Sequence, residues 1–278
     1  PLRPGRPAGV LWQGCQVIKL ARELSQAENG KFRRRVENFA RANGLSLLDE
    51  HAGTHIAVQV IDSLKLLEFD FLPEFPFDPK RLKAEKPVIL VMDYAFGEQA
   101  YETLDELLKT YETPEKAHRM QIASISVMGK AGILEGGKGD LMIPTAHVFE
   151  GTADNYPFDN EFAASDFEGN ALKVFEGSMI TVLGTSLQNR DVLAYFRNSS
   201  WRAIGLEMEG AHYQKAIQSQ VRIRKNVDGP VKLRYAYYAS DNPLETGSTL
   251  ASGSLGLAGV KPAYLISLKI LEKILGPA

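Results

Sequence analysis

The sequence predicts an α/β fold. From Pro87 onward, short apolar runs of strand length recur, and helix-forming segments of amphipathic spacing alternate with them. The chain has 278 residues, 44 % of them hydrophobic, which is enough to bury a sizeable core.

Before Pro87 the chain reads mainly as helix. Residues 16–26 and 31–42 carry mixed apolar and charged faces, separated by Asn29-Gly30 and ended by Asn43-Gly44. The apolar content of residues 51–69 fits one longer helix. Residues 71–80, FLPEFPFDPK, are rich in proline and aromatics and read as an extended strap. A boundary is therefore expected near residue 85, between a mainly helical extension (1–85) and a second domain (86–278).

Within that second domain, PVILVMDYAFG (87–97) begins as a continuous apolar strand of the kind covered on both faces. Residues 100–108 read as helix. IASISVMG (122–129) is a second buried strand leading into KAGILEGGKGD, and DLMIPTAHV (140–148) is a third. Residues 163–174 are expected to supply part of a connecting helical layer. A fourth strand covers 177–183, followed by a turn and helix in GTSLQNRDVLAYFR. Residues 203–208 and 233–239 supply further strands, and 264–274 a terminal helix.

The charge balance narrows the partners. Lysine and arginine total 32 against 34 acidic residues, a formal charge of -2, which gives no support for a nucleic-acid surface. The one basic run, Lys31 to Arg35, is followed by Glu37 and reads as a solvated helix face. Cys15 is the only cysteine, so an intrachain disulfide and a cysteine-rich metal site are both excluded, in keeping with a reducing compartment. No apolar run reaches the roughly 20 residues that cross a bilayer, and PLRPGRPAG lacks the order of a secretory signal. A cytoplasmic protein with a small-molecule partner is expected, with no membrane and no nucleic acid. The five histidines form no recognised metal spacing, and HAGTH is not HExxH, so neither metal nor cofactor is expected.

Four stretches interrupt apolar texture with chemistry. Gly205 to Ala211, GLEMEGA, sets Glu207 and Glu209 around Met208. A carboxylate accepts two hydrogen bonds at once and suits a cis-diol, while methionine offers a soft apolar wall. The plainer alternative is an acidic helix start with an internal ion pair. Asp241 closes YAYYASD; leaving a buried strand, it can hold a raised pKa and act as general acid, or it can serve as a turn cap. Gly129, Lys130 and Ala131 follow a strand, where small residues let backbone amides approach an anion or a sugar, although a tight turn or an ion pair of Lys130 explains them equally. They match neither GxGxxG nor a Walker loop. Lastly, residues 147–158 mix Phe149, Tyr156 and Phe158 with polar groups, fit either for stacking on a planar base or for covering a core edge.

Taken together, Gly129-Lys130-Ala131-Gly132 through GDLMIP, GTSLQN, Glu207-Met208-Glu209-Gly210-Ala211 and Ser240-Asp241 resemble the nucleoside phosphorylase and nucleosidase superfamily, in its order, over residues 87–278. The resemblance implies a three-layer α/β/α sandwich around a mixed, barrel-like sheet, cleavage of a purine nucleoside at its N-glycosidic bond, and a homo-oligomer. By the same resemblance Glu209 takes the ribose hydroxyls, Met208 packs on the sugar and Asp241 protonates N7. Leu187 falls where an aromatic usually stacks on the base. Glu98 resembles the glutamate with which the superfamily's hydrolases activate water, and the phosphate-binding arginines of its phosphorylases have no counterpart near Asp93 or Val127. Ser240 to Leu244, SDNPL, is similar to a segment of AMP nucleosidases, in which case Lys130 meets a 5′-phosphate. Hydrolysis is thus expected, with a phosphorylase or a non-catalytic nucleoside-binding protein as the alternatives.

Overall fold

The computed structural model describes residues 30–49, 53–71, 73–184, 189–245, 255 and 257–277. Cys15, the helix expected over 16–26, Leu187 and nearly all of the glycine- and serine-rich stretch after residue 246 lie outside these residues. The chain divides into two compact units, Pro1–Tyr94 with Ser267–Ala278, and Ala95–Ile266.

The first unit holds helix α1 (Lys31–Ala42), strands β1 (Leu45–Leu48), β2 (Val58–Asp62) and β3 (Val88–Met92), and helix α2 (Pro79–Glu85). The strands form an antiparallel sheet in the order β1-β2-β3, with Leu45 opposite Ile61 and Val60 opposite Leu90. The single helix expected over 51–69 is absent, because Val58, Val60 and Ile61 are β-branched and favour a pleated strand. A 3₁₀ turn over Ser63–Glu68 follows, started by the Asp62 carboxylate accepting the Leu64 N–H at 3.0 Å. In the strap, Phe71 stacks on Phe77 with centroids 4.1 Å apart. Asp78 caps α2 by accepting the Lys80 and Arg81 N–H groups, and Arg81 donates to the Gly276 carbonyl at 2.7 Å. Among the described residues, strand β3 pairs with β2 alone and Val88, Leu90 and Val91 are exposed, unlike the doubly covered strand its apolar run suggests.

The second unit carries a mixed sheet. Its strands are β6 (Ser124–Ile133), β7 (Leu141–Phe149), β8 (Asn155–Pro157), β9 (Val174–Thr181), β10 (Ala203–Glu207) and β11 (Lys232–Asp241), after a two-residue hairpin of β4 (Tyr111–Glu112) and β5 (Ala117–His118). The order is β11-β6-β10-β9-β7-β8, and β11 also pairs with β7, Tyr237 opposite Met142. The sheet therefore closes into a small barrel instead of the open layer of a simple sandwich. Strands β7, β9 and β10 run parallel to one another, and β6 and β11 run parallel to each other in the opposite sense.

Helices α3 (Gln99–Leu107), α4 (Arg190–Asn198), α5 (Gly210–Ile217) and α6 (Leu257–Leu275) complete the α/β architecture; a π-helical turn, Gln218–Ile223, extends α5. Leu193 and Phe196 of α4 bury against Val148, Ile180 and Leu206, one residue from each parallel strand. Inside the barrel, Tyr235, Tyr237, Met142 and Met179 are fully buried. Gly205 makes that closure feasible: a Cβ there would lie 2.6 Å from the Gly132 carbonyl oxygen and 3.1 Å from Met179 Sδ. The helical layer expected over 163–174 is only a short 3₁₀ turn, Ala164–Phe167, which buries Phe167. No helix among the described residues is long and apolar enough to cross a membrane.

Candidate active site

The three parallel strands end level with one another. Phe149 of β7 lies opposite Thr181 of β9, and Thr181 lies opposite Glu207 of β10, so the three side chains form a row on one face. The Thr181 hydroxyl donates to Glu207 Oε1 at 2.5 Å and accepts the Ala211 N–H at 2.9 Å. Glu207 Oε2 accepts the N–H groups of Glu209, at 2.6 Å, and of Gly210. Glu207 thus satisfies two N–H groups at the start of α5, and both its oxygens are engaged within the protein. Burial raises its pKa to about 7, against the lowering effect of those donors.

Glu209 is also engaged at both oxygens, over longer distances. Its Oε1 accepts the Gly97 N–H at 3.2 Å and its Oε2 the Met208 N–H at 3.3 Å. Burial raises its pKa, partly offset by these two bonds. The segment before α3 is fixed a second time, where the Ala95 N–H donates to the Tyr213 hydroxyl at 3.1 Å. Glu98, exposed at the start of α3, is thereby held over the first turn of α5. Met208 beside it is 41 % exposed, a large apolar side chain offered to solvent.

An aromatic edge borders the same turn. Phe149 meets His212 edge to face, centroids 4.7 Å apart, and Tyr156 at 6.1 Å. Phe158 turns the other way, stacking on the buried His147 at 5.3 Å and packing at a tilt against Tyr235 at 4.8 Å, and belongs to the barrel core. Burial depresses His147 to about 3, so it is neutral there.

Asp241 closes β11 on the far side of β6. It and Leu206 both lie opposite Gly132, which separates their Cα atoms by two strand spacings, about 10 Å. The register shifts between Ala239 and Asp241, a bulge that re-aims the last side chain of the strand. Ser240 Oγ donates to Asp241 Oδ1 at 2.5 Å, while no donor among the described residues reaches the buried Oδ2. Burial raises the Asp241 pKa, against the opposing effects of the Ser240 hydroxyl and the cations of Lys130 and Lys138. Asn242 donates to the Gly136 carbonyl at 2.9 Å and fixes the neighbouring loop.

The supposed anion-binding turn at Gly129, Lys130 and Ala131 is no turn. All three lie within β6, opposite Tyr237, Tyr238 and Ala239 of β11, where their backbone groups serve the ladder. Lys130 remains exposed, on the Asp241 side. Two residues escaped the sequence reading. The histidine spacings give His212 no metal role, and its place three residues past Glu209, in the same helical turn, is the signal that would have found it. Thr181 carries no local signal, because its role depends on the register of β9 against β10. Among the described residues no three histidine, cysteine or acidic side chains gather as a metal site.

Solved nucleosidases share this closed mixed barrel with flanking helices. An MTA/SAH nucleosidase from S. pneumoniae bound to a transition-state inhibitor superposes with a TM-score of 0.55 at 12 % identity, over 86 % of this chain and 94 % of that one. An S-adenosylhomocysteine nucleosidase from Streptococcus pyogenes superposes at 0.53 with 15 % identity, over 87 % and 92 %. For an AMP nucleosidase from Bacteroides thetaiotaomicron the values are 0.48 and 16 %, over 87 % and 85 %, too distant a superposition to bear on nucleotide specificity. No curated protein sequence matches. By sequence, residues 19–276 match the family described as a family of unknown function (DUF6909), and the chain belongs to it.

Proposed function

We propose that the chain hydrolyses the N-glycosidic bond of a purine nucleoside or nucleotide. The observation that carries this reading is Asp241: a buried carboxyl at a strand bulge, with one oxygen that no described residue donates to and its pKa raised by burial. A carboxyl of that kind keeps its proton to higher pH than an exposed one and can deliver it to the leaving base. As the C1′–N bond breaks, the electron pair goes to the base, Asp241 protonates it at N7, and the sugar gains positive charge. Glu209 accepts the ribose hydroxyls and lies close to that charge. Met208 supplies the apolar wall of the sugar, and Phe149 and Tyr156 the aromatic surface. Glu98, fixed over Glu209 through Gly97, takes the proton of the water that attacks C1′. Lys130, beside Asp241, belongs in this reading to the base end of the site.

The test is free-base release from AMP, adenosine, inosine, guanosine and methylthioadenosine, with and without inorganic phosphate, for wild type and Asp241→Asn. Release without phosphate that falls about 100-fold or more in the variant is the expected result. Strict phosphate dependence would replace water by phosphate as nucleophile. Tight binding with no release would leave a nucleoside-binding protein.

A further inference from the structure

Glu98 alone is an exposed carboxylate, and water attack at C1′ needs a proton acceptor held at the sugar. The turn that carries Glu209 also carries His212, half-buried, whose ring makes no hydrogen bond to a described residue. Its ring is held edge to face on Phe149 at 4.7 Å, itself in the row Phe149, Thr181, Glu207. The segment carrying Glu98 is pinned across this turn at two points, Gly97 N–H to Glu209 and Ala95 N–H to Tyr213. We propose that His212 is the proton acceptor for the attacking water, with Glu98 as the carboxylate that orients its ring and stabilises the imidazolium formed. This rests on the hydrolase reading above and reassigns Glu98 from base to partner.

The step balances without any further reactant. Water oxygen bonds to C1′ and its proton passes to the imidazole; the C1′–N pair leaves with the base, which Asp241 protonates. The environment suits the task. The charged groups that act on His212 are Glu98, which precedes α3, and Lys215 of α5; Lys215 also lies over the Tyr101 ring, 5.5 Å from its centre. Burial lowers the His212 pKa, Glu98 raises it and Lys215 lowers it, with a net downward shift, so the ring is neutral and able to accept at neutral pH.

Two measurements on the full chain test this. Imidazole C–H resonances, assigned with His212→Gln, are titrated by NMR in wild type, Glu98→Gln and Lys215→Met. Loss of Glu98 is expected to lower the His212 midpoint and loss of Lys215 to raise it. An unchanged midpoint in Glu98→Gln overturns the pairing whether or not the protein turns over. In base release, His212→Gln is expected to lose about 100-fold in kcat together with the acid limb of the pH profile. Lys215→Met, which leaves the pair intact, should move that limb upward in pH. An acid limb and rate retained in His212→Gln refute the proton-acceptor role and leave the hydrolase reading standing. Absence of release from every wild-type assay overturns the hydrolase reading itself, and the NMR titration then still decides the pairing.

Discussion

Replacing Thr181 by valine removes one hydroxyl and almost no volume, and the structure says which two bonds it breaks. The hydroxyl donates to Glu207 Oε1 and accepts from the Ala211 N–H, and Thr181 is fully buried. Valine leaves the Ala211 N–H without an acceptor, a cost of about 1–3 kcal/mol, and the lost bond to Glu207 adds roughly 1 kcal/mol. The sum is about 3 kcal/mol, or roughly 6–12 °C in melting temperature at this chain size. The kinetic effect follows from the same bonds: Glu207 holds the N–H of Glu209, so a loosened Glu207 loosens the diol ligand. A displacement on the order of 1 Å there is expected to lower base release about 10- to 100-fold. Chemical denaturation and base release on Thr181→Val, with Thr181→Ser as the variant that restores both bonds, measure the two effects. A Thr181→Val protein within about 0.5 kcal/mol of wild type and with unchanged turnover would refute the claim that this hydroxyl organises the start of α5.

Three further outcomes are expected. Glu207 holds its proton to about 7 in the folded protein against an ordinary value of 4.5, so the folded state binds a proton that the unfolded chain releases. Its contribution is full below 4.5 and is lost as pH rises through 7; Glu207→Gln should flatten stability across that window, as denaturation at a series of pH values would show. His147, depressed from 6.5 to about 3, acts in the other direction: its contribution is present above 6.5 and is lost as pH falls toward 3, so His147→Phe should resist acid better than wild type when unfolding is followed by circular dichroism. Gly210→Ala should destabilise, because the added Cβ overlaps the His147 ring and lies 2.8 Å from Tyr237 Oη. Overpacking of about 1–3 kcal/mol outweighs up to about 1 kcal/mol of helix propensity, and the substitution should cost less in a His147→Ala background, read from denaturation midpoints.

Much of the second unit was legible because its strands announce themselves. Runs such as DLMIPTAHV and YAYYASD are strongly apolar, and burial on both sides of a barrel wall demands that. Asp241 and Glu209 stood out for the same reason, as carboxylates at the ends of apolar strands. At 51–69 the apolar content fits a helix, but the β-branched Val58, Val60 and Ile61 within it decide a strand. The glycines at 129 and 132 were misread as a turn because small residues serve turns and close strand packing alike, and local composition does not tell them apart.

The sequence by itself determined that the chain builds an α/β unit and where its strands fall, and it exposed the two acidic interruptions. These are local properties, written in periodicity and in the cost of burying charge. Barrel closure was decided only in three dimensions, by β11 pairing with both β6 and β7. So were the fates of the two glutamates: the register of β9 against β10 brings Thr181 to Glu207 at the start of α5, while the segment from Ala95 to Glu98 settles over Glu209. Those choices rest on contacts between residues far apart in the chain, and a carboxylate's role follows from which donors reach it.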